Sequence, residues 1–85
     1  MPLIQIDVRF LEPCKPLEQV LAALQTLPTG DCLHVLHRLE PFPLYEMLKQ
    51  QGFKWITRSI SPEIPIELFI WKENDSIAEQ IILTL

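Results

Sequence analysis

Strand-like and helix-like hydrophobic patterns alternate along this chain of 85 residues. In residues 3–9 apolar side chains fall at every second position, which is typical of a half-buried strand. In residues 16–27 they recur at helical spacing, and the segment opens at a proline, which suits the first position of a helix because its missing N–H would be unpaired there. The same features predict a second strand at residues 32–38 and a second helix from Pro43 to Gly52.

Two further strands are predicted at residues 53–60 and 64–72, which gives the order βαβαββ. A strand–helix–strand crossover makes its two strands parallel and is almost always right-handed, whereas a short turn makes the last two strands an antiparallel hairpin. We therefore expect an α+β protein, a two-layer α/β sandwich with a mixed four-stranded sheet and both helices on one face. Residues 1–72 would form the domain, and residues 73–85 an apolar C-terminal tail.

The second face of this sheet is also predicted to be covered. Trp55, Phe69 and Trp71 are assigned to it from their positions in their strands, and the tail is too apolar to stay in solvent. Either the tail folds back over this face, or the face is a homodimer contact; alternatively, the aromatic side chains complete the core of one chain. The sequence leaves open whether the tail is a helix, a fifth strand or a swapped arm.

Composition excludes several classes of protein. The net charge is −4 and no basic cluster is present, which argues against nucleic-acid binding. No apolar segment approaches the ~20 residues that span a membrane, and no signal peptide is recognisable, so a cytoplasmic protein is expected. With two glycines and no Ser–His–Asp set, neither a nucleotide-binding loop nor independent catalysis is expected, and no cofactor is predicted.

The carboxyl ends of the first two strands collect most of the candidate functional residues. Both helices begin at this edge, where open α/β sheets bind their ligands, and two helix N-termini together with arginines make it positive. We expect it to bind a small anion or an acidic segment of a protein partner. The candidate binding residues are Arg9, Glu12, Lys15, His37, Arg38 and Glu40.

The two cysteines have different predicted environments. Cys14 lies at the start of the first helix beside Lys15, a position that lowers a thiol pKa and favours reactivity; the alternative is an unreactive loop residue. Cys32 begins the second strand at the opposite edge, about 18 Å away along the helix. A disulfide needs Cα atoms within about 7 Å, so we predict two free thiols, with Cys32 buried.

Other polar pairs give weaker predictions. His34 and His37 have a His-x-x-His spacing, but an odd spacing on a strand places them on opposite faces, and no metal site is predicted. Glu12 and Glu40 would form either a carboxylate pair or ion pairs with the two nearby arginines.

Two segments resemble a known superfamily. The segment IDVRFLEPCKP, residues 6–16, followed by a helix, resembles the opening of the TusA/SirA-like sulfur carriers. The segment RLEPFPL, residues 38–44, resembles the Arg-x-Glu-Pro-x-Pro-Leu of an uncharacterised branch of that superfamily. The resemblance implies a βαβαββ two-layer fold and, in the carriers, a persulfide-bearing cysteine in Cys-Pro-x-Pro. Here the order is Pro-Cys-Lys-Pro, and Cys14 stands where the carriers have their first proline.

Three functional hypotheses follow. The first is a small non-enzymatic TusA-like binding or regulatory domain that uses the positive edge. The second is a sulfur carrier in which Cys14 accepts and passes on a persulfide. The third is a structural subunit that pairs through Trp55, Phe69 and Trp71.

Overall fold

The computed structural model describes residues 3–11 and 15–85. Its elements are β1 (Leu3–Asp7), α1 (Lys15–Gln25), β2 (Cys32–His37), α2 (Phe42–Gln50), β3 (Phe53–Arg58), β4 (Ile66–Lys72) and α3 (Ser76–Leu83). The strands form one sheet in the order β1-β2-β4-β3, in which β1 and β2 are parallel and the other neighbours are antiparallel. The predicted α+β fold with a mixed four-stranded sheet is confirmed.

The main core lies between α1, α2 and one face of the sheet. The apolar residues at helical spacing point inward as predicted: Val20 and Leu24 of α1 and Leu44 and Leu48 of α2 are buried against the strands. Gly52 follows α2 with φ of 81°, a left-handed conformation in which a glycine is favoured and from which the chain turns directly into β3. None of the helices described in residues 3–11 and 15–85 has the length and apolar character needed to cross a membrane.

Helix α3 packs on the other face of the sheet and accounts for the apolar tail. Ala78 and Ile82 of α3 form a second buried cluster with Cys32, Phe69 and Trp71 of the strands. The tail is thus a helix, one of the three forms that the sequence left open. This helix covers Phe69 and Trp71 within a single chain, so neither side chain is exposed for contact with a second copy.

The placement of Trp55 corrects the sequence prediction. In the hairpin, Trp55 pairs with Ile70 and therefore lies on the face that packs against α1 and α2. There its ring stacks on the ring of Tyr45, with centroids 5.2 Å apart. Ile56, the next residue, is opposite Phe69 and lies on the α3 face. The prediction was right for Phe69 and Trp71 and wrong for Trp55.

Asp75 caps α3 and ties it to the turn before β2. Its carboxylate accepts hydrogen bonds from the backbone N–H groups of Gly30, at 2.6 Å, and Ala78, at 3.1 Å. These two bonds, the Gly30 bond first, hold the pKa of Asp75 below its ordinary value of 3.8. The two N–H groups therefore stabilise the charged form of the carboxylate over the protonated form. The charged carboxylate fixes both the start of α3 and the position of the helix on the sheet.

We expect Asp75→Ala to lower the melting temperature by an amount that depends on pH. Because the folded-state pKa is lowered, the stabilisation is fully present above the ordinary value of 3.8 and is lost as the pH falls through the lowered folded-state value. The difference in melting temperature between the variant and the wild type should therefore be constant near neutral pH. It should shrink as the pH falls below 3.8. Glu73→Ala, an exposed carboxylate in the same loop, is the control; an equal effect of both substitutions at every pH would contradict the assignment.

Candidate functional site

A pocket opens at the carboxyl ends of β1 and β2, where α1 and α2 begin. Its volume is about 350 Å³. The lining comes from the end of β2, from the segments that follow β1 and β2, and from the N-terminal halves of both helices: Val8, Arg9, Leu11, Pro16, Leu17, Val20, His37, Arg38, Leu39, Pro41, Pro43 and Leu44. This is the edge at which the parallel strand pair predicts a ligand site.

The walls of the pocket are apolar. Arg9, His37 and Arg38 are the polar residues of its lining, and aliphatic side chains and prolines make up the rest. Pockets of a few hundred Å³ with apolar walls and a small number of polar groups are typical of small-molecule sites. The arrangement suits a ligand whose body is apolar and whose polar group is confined to one end.

Arg9 is held by groups of the protein itself. Its Nε and Nη2 donate to the two carboxylate oxygens of Asp7 at 2.9 and 2.7 Å, and its Nη1 donates to the carbonyl oxygen of Glu63 at 2.8 Å. The bond to Asp7 raises the pKa of the arginine and lowers that of the carboxyl group. The charge of Arg9 is thus already matched, and the side chain links the end of β1 to the connection between β3 and β4.

His37 contributes a neutral ring at neutral pH. Burial, and then the charge of Arg38, lower the pKa of His37 below its ordinary value of 6.5. The ring atom Nδ1 accepts a hydrogen bond from the backbone N–H of Leu39 at 3.2 Å, which fits a neutral imidazole. His37 therefore shapes the turn after β2 without adding positive charge to the pocket.

Arg38 is the cation of the pocket that has no carboxylate partner in the described part of the chain. Its side chain is exposed, and it forms no ion pair or hydrogen bond with any residue of 3–11 or 15–85. A guanidinium group presents five donors in a planar fork that fits a carboxylate or a similar anion. Arg38 is therefore the residue best placed to hold an anionic group at this pocket.

Lys15 and Glu40 lie beside the pocket and not in its lining. Lys15 pairs with Glu18 at 3.5 Å on the surface of α1, where such a pair contributes little stability. The carboxylate of Glu40 accepts a hydrogen bond from the hydroxyl of Tyr45 at 3.1 Å. Among residues 3–11 and 15–85, Glu40 forms no ion pair with an arginine, and its hydrogen-bond partner is Tyr45. Glu12 lies outside the described residues, so its pairing stays a prediction.

The chain matches a protein family over residues 5–72, and the match includes the last three residues of β1, the other three strands, α1, α2 and the pocket lining. The family is described as uncharacterized conserved protein (DUF2249). The chain belongs to this family. No curated protein and no solved structure matches the chain. The family match ends at Lys72, so α3 lies beyond it.

Of the two cysteines in this DUF2249 protein, Cys32 is unreactive. It is a free, buried thiol whose Sγ donates to the carbonyl oxygen of Ala78 at 3.2 Å. Burial first, and then the carboxylates of Asp75 and Asp31, raise the pKa of Cys32 to about 11. A thiol of this kind is not ionised at neutral pH, so Cys32 is a packing residue, as predicted.

Cys14 lies outside the described residues, so its reactivity stays a prediction. The residues on either side of the undescribed segment 12–14 are informative: Leu11 before it and Pro16 after it both line the pocket.

A polar cluster lies on the α3 face of the sheet, and the sequence did not predict it. The ring of His34 contacts the carboxylate of Glu67 through Nε2 at 2.5 Å and the side-chain amide of Gln5 through Nδ1 at 3.1 Å. Arg58 donates to the other oxygen of Glu67, through Nε at 3.2 Å and Nη2 at 3.1 Å. The cluster crosses β1, β2, β4 and β3 in their spatial order. It also confirms that His34 and His37 lie on opposite faces.

Proposed function

We propose that this DUF2249 protein is a non-enzymatic binding domain whose ligand is a small molecule with an apolar body and one anionic group. The observation that carries the proposal is the apolar pocket of about 350 Å³ with Arg38 in its lining. The apolar body would lie against the aliphatic walls, and the anionic group would accept hydrogen bonds from the guanidinium of Arg38.

The charges around the pocket support an anion at this position. Arg9 is already neutralised by Asp7, and His37 is neutral, so among residues 3–11 and 15–85 the unmatched positive charge at the lining is that of Arg38. Helices α1 and α2, of 11 and 9 residues, both begin at the pocket and direct the positive ends of their dipoles toward it. A neutral ligand would gain less from these features than an anion.

The test compares octanoate with 1-octanol, which have the same chain and differ in charge. We expect octanoate to bind the wild-type protein and Arg38→Ala to weaken its binding by about tenfold, the value of one charge-assisted hydrogen bond at a partly exposed site. Binding of 1-octanol should not change. Isothermal titration calorimetry, or NMR titration if the affinity is weak, measures both.

Lys49→Ala is the matched control, because Lys49 is the basic residue of the last turn of α2, at the end of the helix away from the pocket. Its affinity for octanoate should equal that of the wild type. Equal losses in the Arg38→Ala and Lys49→Ala variants would indicate a general effect of net charge. Equal binding of octanoate and 1-octanol would remove the anionic group from the proposal.

A sulfur carrier is the second candidate, supported by the position of Leu11 and Pro16 at the pocket on either side of Cys14. In this role the Cys14 thiolate would attack the outer sulfur of a donor enzyme's persulfide. The Cys14 persulfide would form as the donor's S–S bond breaks, and the donor cysteine would leave as a thiolate.

Intact mass after incubation with a cysteine desulfurase and cysteine distinguishes the two candidates. A carrier gains one sulfur atom, which Cys14→Ser abolishes and Cys32→Ser does not. The rate of Cys14 alkylation in the Cys32→Ser variant should then titrate well below the free-thiol pKa of about 8.5. No gain of sulfur, with octanoate binding that depends on Arg38, would support the binding domain.

A further inference from the structure

Strand β1 lies at one edge of the sheet, and one side of its backbone faces away from β2. The N–H of Val8 donates to the carbonyl oxygen of Leu36 in β2 at 2.9 Å. Because backbone groups of successive strand residues alternate in direction, Ile4 and Ile6 also direct their N–H and C=O groups toward β2. The N–H and C=O groups of Leu3, Gln5 and Asp7 therefore point outward, along the open edge of the sheet.

The two edges of the sheet differ in their protection. The outer strand β3 carries Lys54 and Arg58, and basic side chains on an edge strand discourage pairing with another chain. Residues Leu3–Asp7 of β1 contain neither a basic residue nor a proline. The edge of β1 is therefore the one on which another strand can add.

We propose that β1 pairs antiparallel with β1 of a second copy of this chain, around a two-fold axis at Gln5, to form a continuous eight-stranded sheet. This register is set by the outward-pointing groups. With Gln5 opposite its own copy, Leu3 lies opposite Asp7, and all three outward-pointing residues of each strand find outward-pointing partners. A shift by two residues in either direction places at least one of them on each strand opposite a residue outside Leu3–Asp7.

The side chains are self-complementary in the same register. Ile4 and Ile6, partly buried beside the main core, lie opposite each other's copies, so the apolar layer continues from one chain to the next. On the α3 face Gln5 meets Gln5, and neither carries a charge. Asp7 is opposite Leu3, and its charge is already matched by Arg9 within its own chain. No like charges are brought directly opposite.

Sedimentation equilibrium of the wild type and of two variants tests this pairing. The wild type should dimerise reversibly. Gln5→Lys places two lysines directly opposite, and Gln5→Glu two glutamates, and each variant alone should dimerise at least about fivefold more weakly than the wild type. An equimolar mixture of the two variants places lysine opposite glutamate and should recover dimerisation. Gln50→Lys, an exposed change on α2, should dimerise as the wild type does.

Three results would overturn the proposal: a wild type that stays monomeric at millimolar concentration, variants that dimerise as tightly as the wild type, or a mixture that dimerises no better than either variant alone. Circular dichroism of each variant shows that its monomer is folded, since Gln5 also contacts His34. If a variant fails to fold, NOEs between differently labelled wild-type chains, from Leu3 of one copy to Asp7 of the other, test the same register. Their absence in a dimer would equally exclude it.

Discussion

Replacing Phe69 by alanine is expected to lower the free energy of unfolding by about 3–5 kcal/mol. The side chain is 2% exposed and belongs to the cluster under α3. Its ring stacks in parallel on the ring of His34, with centroids 4.5 Å apart, and the guanidinium carbon of Arg58 lies 4.9 Å from its centroid. Its loss would leave a cavity beneath α3 and remove the surface against which the polar cluster is ordered.

The expected loss is a large part of the free energy of unfolding of a small domain, which is about 5–15 kcal/mol in total. Urea denaturation followed by circular dichroism measures it, with unchanged m values if unfolding stays two-state. Ile56→Ala is the control because Ile56 is directly opposite Phe69 on the same face but is 36% exposed. It should cost less than about 1 kcal/mol. Similar small losses in both variants would mean that α3 does not pack as described.

Glu67→Ala is expected to cost about 3 kcal/mol, the second large effect. Glu67 is 4% exposed and is the one carboxylate that joins His34 and Arg58. Its removal leaves a buried imidazole nitrogen without its partner and a guanidinium without its counter-charge. The cost arises from these unsatisfied groups. Removing one member of a buried pair lowers the free energy of unfolding by more than the intact pair raises it.

Glu79→Ala is the matched control for Glu67→Ala. Glu79 also pairs with a basic residue, Lys54 at 3.5 Å, but both side chains of this pair are exposed. Its loss should change the free energy of unfolding by less than about 1 kcal/mol. Denaturation curves of the two variants compare a buried and an exposed carboxylate in one protein. A loss below about 1 kcal/mol for Glu67→Ala would show that the cluster on the α3 face is not a stabilising unit.

The order of elements was predictable from the sequence because local periodicity determines it. The alternation in β1 and the helical spacing in α1 and α2 are each complete within a short segment, and the parallel pairing of β1 and β2 follows from the helix between them. The face of Trp55 was not predictable in the same way. Five successive residues of β4, from Glu67 to Trp71, are buried, so this strand has no alternation to show which residues of β3 share a face with which of β4.

The position of the candidate site was predictable, but its character was not. The topology alone places Arg9, His37 and Arg38 at one edge of the sheet. The pairing of Arg9 with Asp7, two residues away, and the apolar walls depend on side-chain packing, which periodicity does not describe. The cluster of His34 and Glu67 joins residues 33 positions apart, across a strand pair whose register the sequence does not specify.

Titration of the protein with octanoate, followed by methyl NMR spectra, shows whether the pocket binds an anionic ligand with an apolar body. We expect the methyl signals of the pocket walls to shift together and saturate, and those of Ile77 and Ile82 in α3 to stay unchanged. The wall residues that carry methyl groups are Val8, Leu11, Leu17, Val20, Leu39 and Leu44. Shifts confined to α3, or no saturable shift at the walls, would contradict the assignment of this pocket as the ligand site.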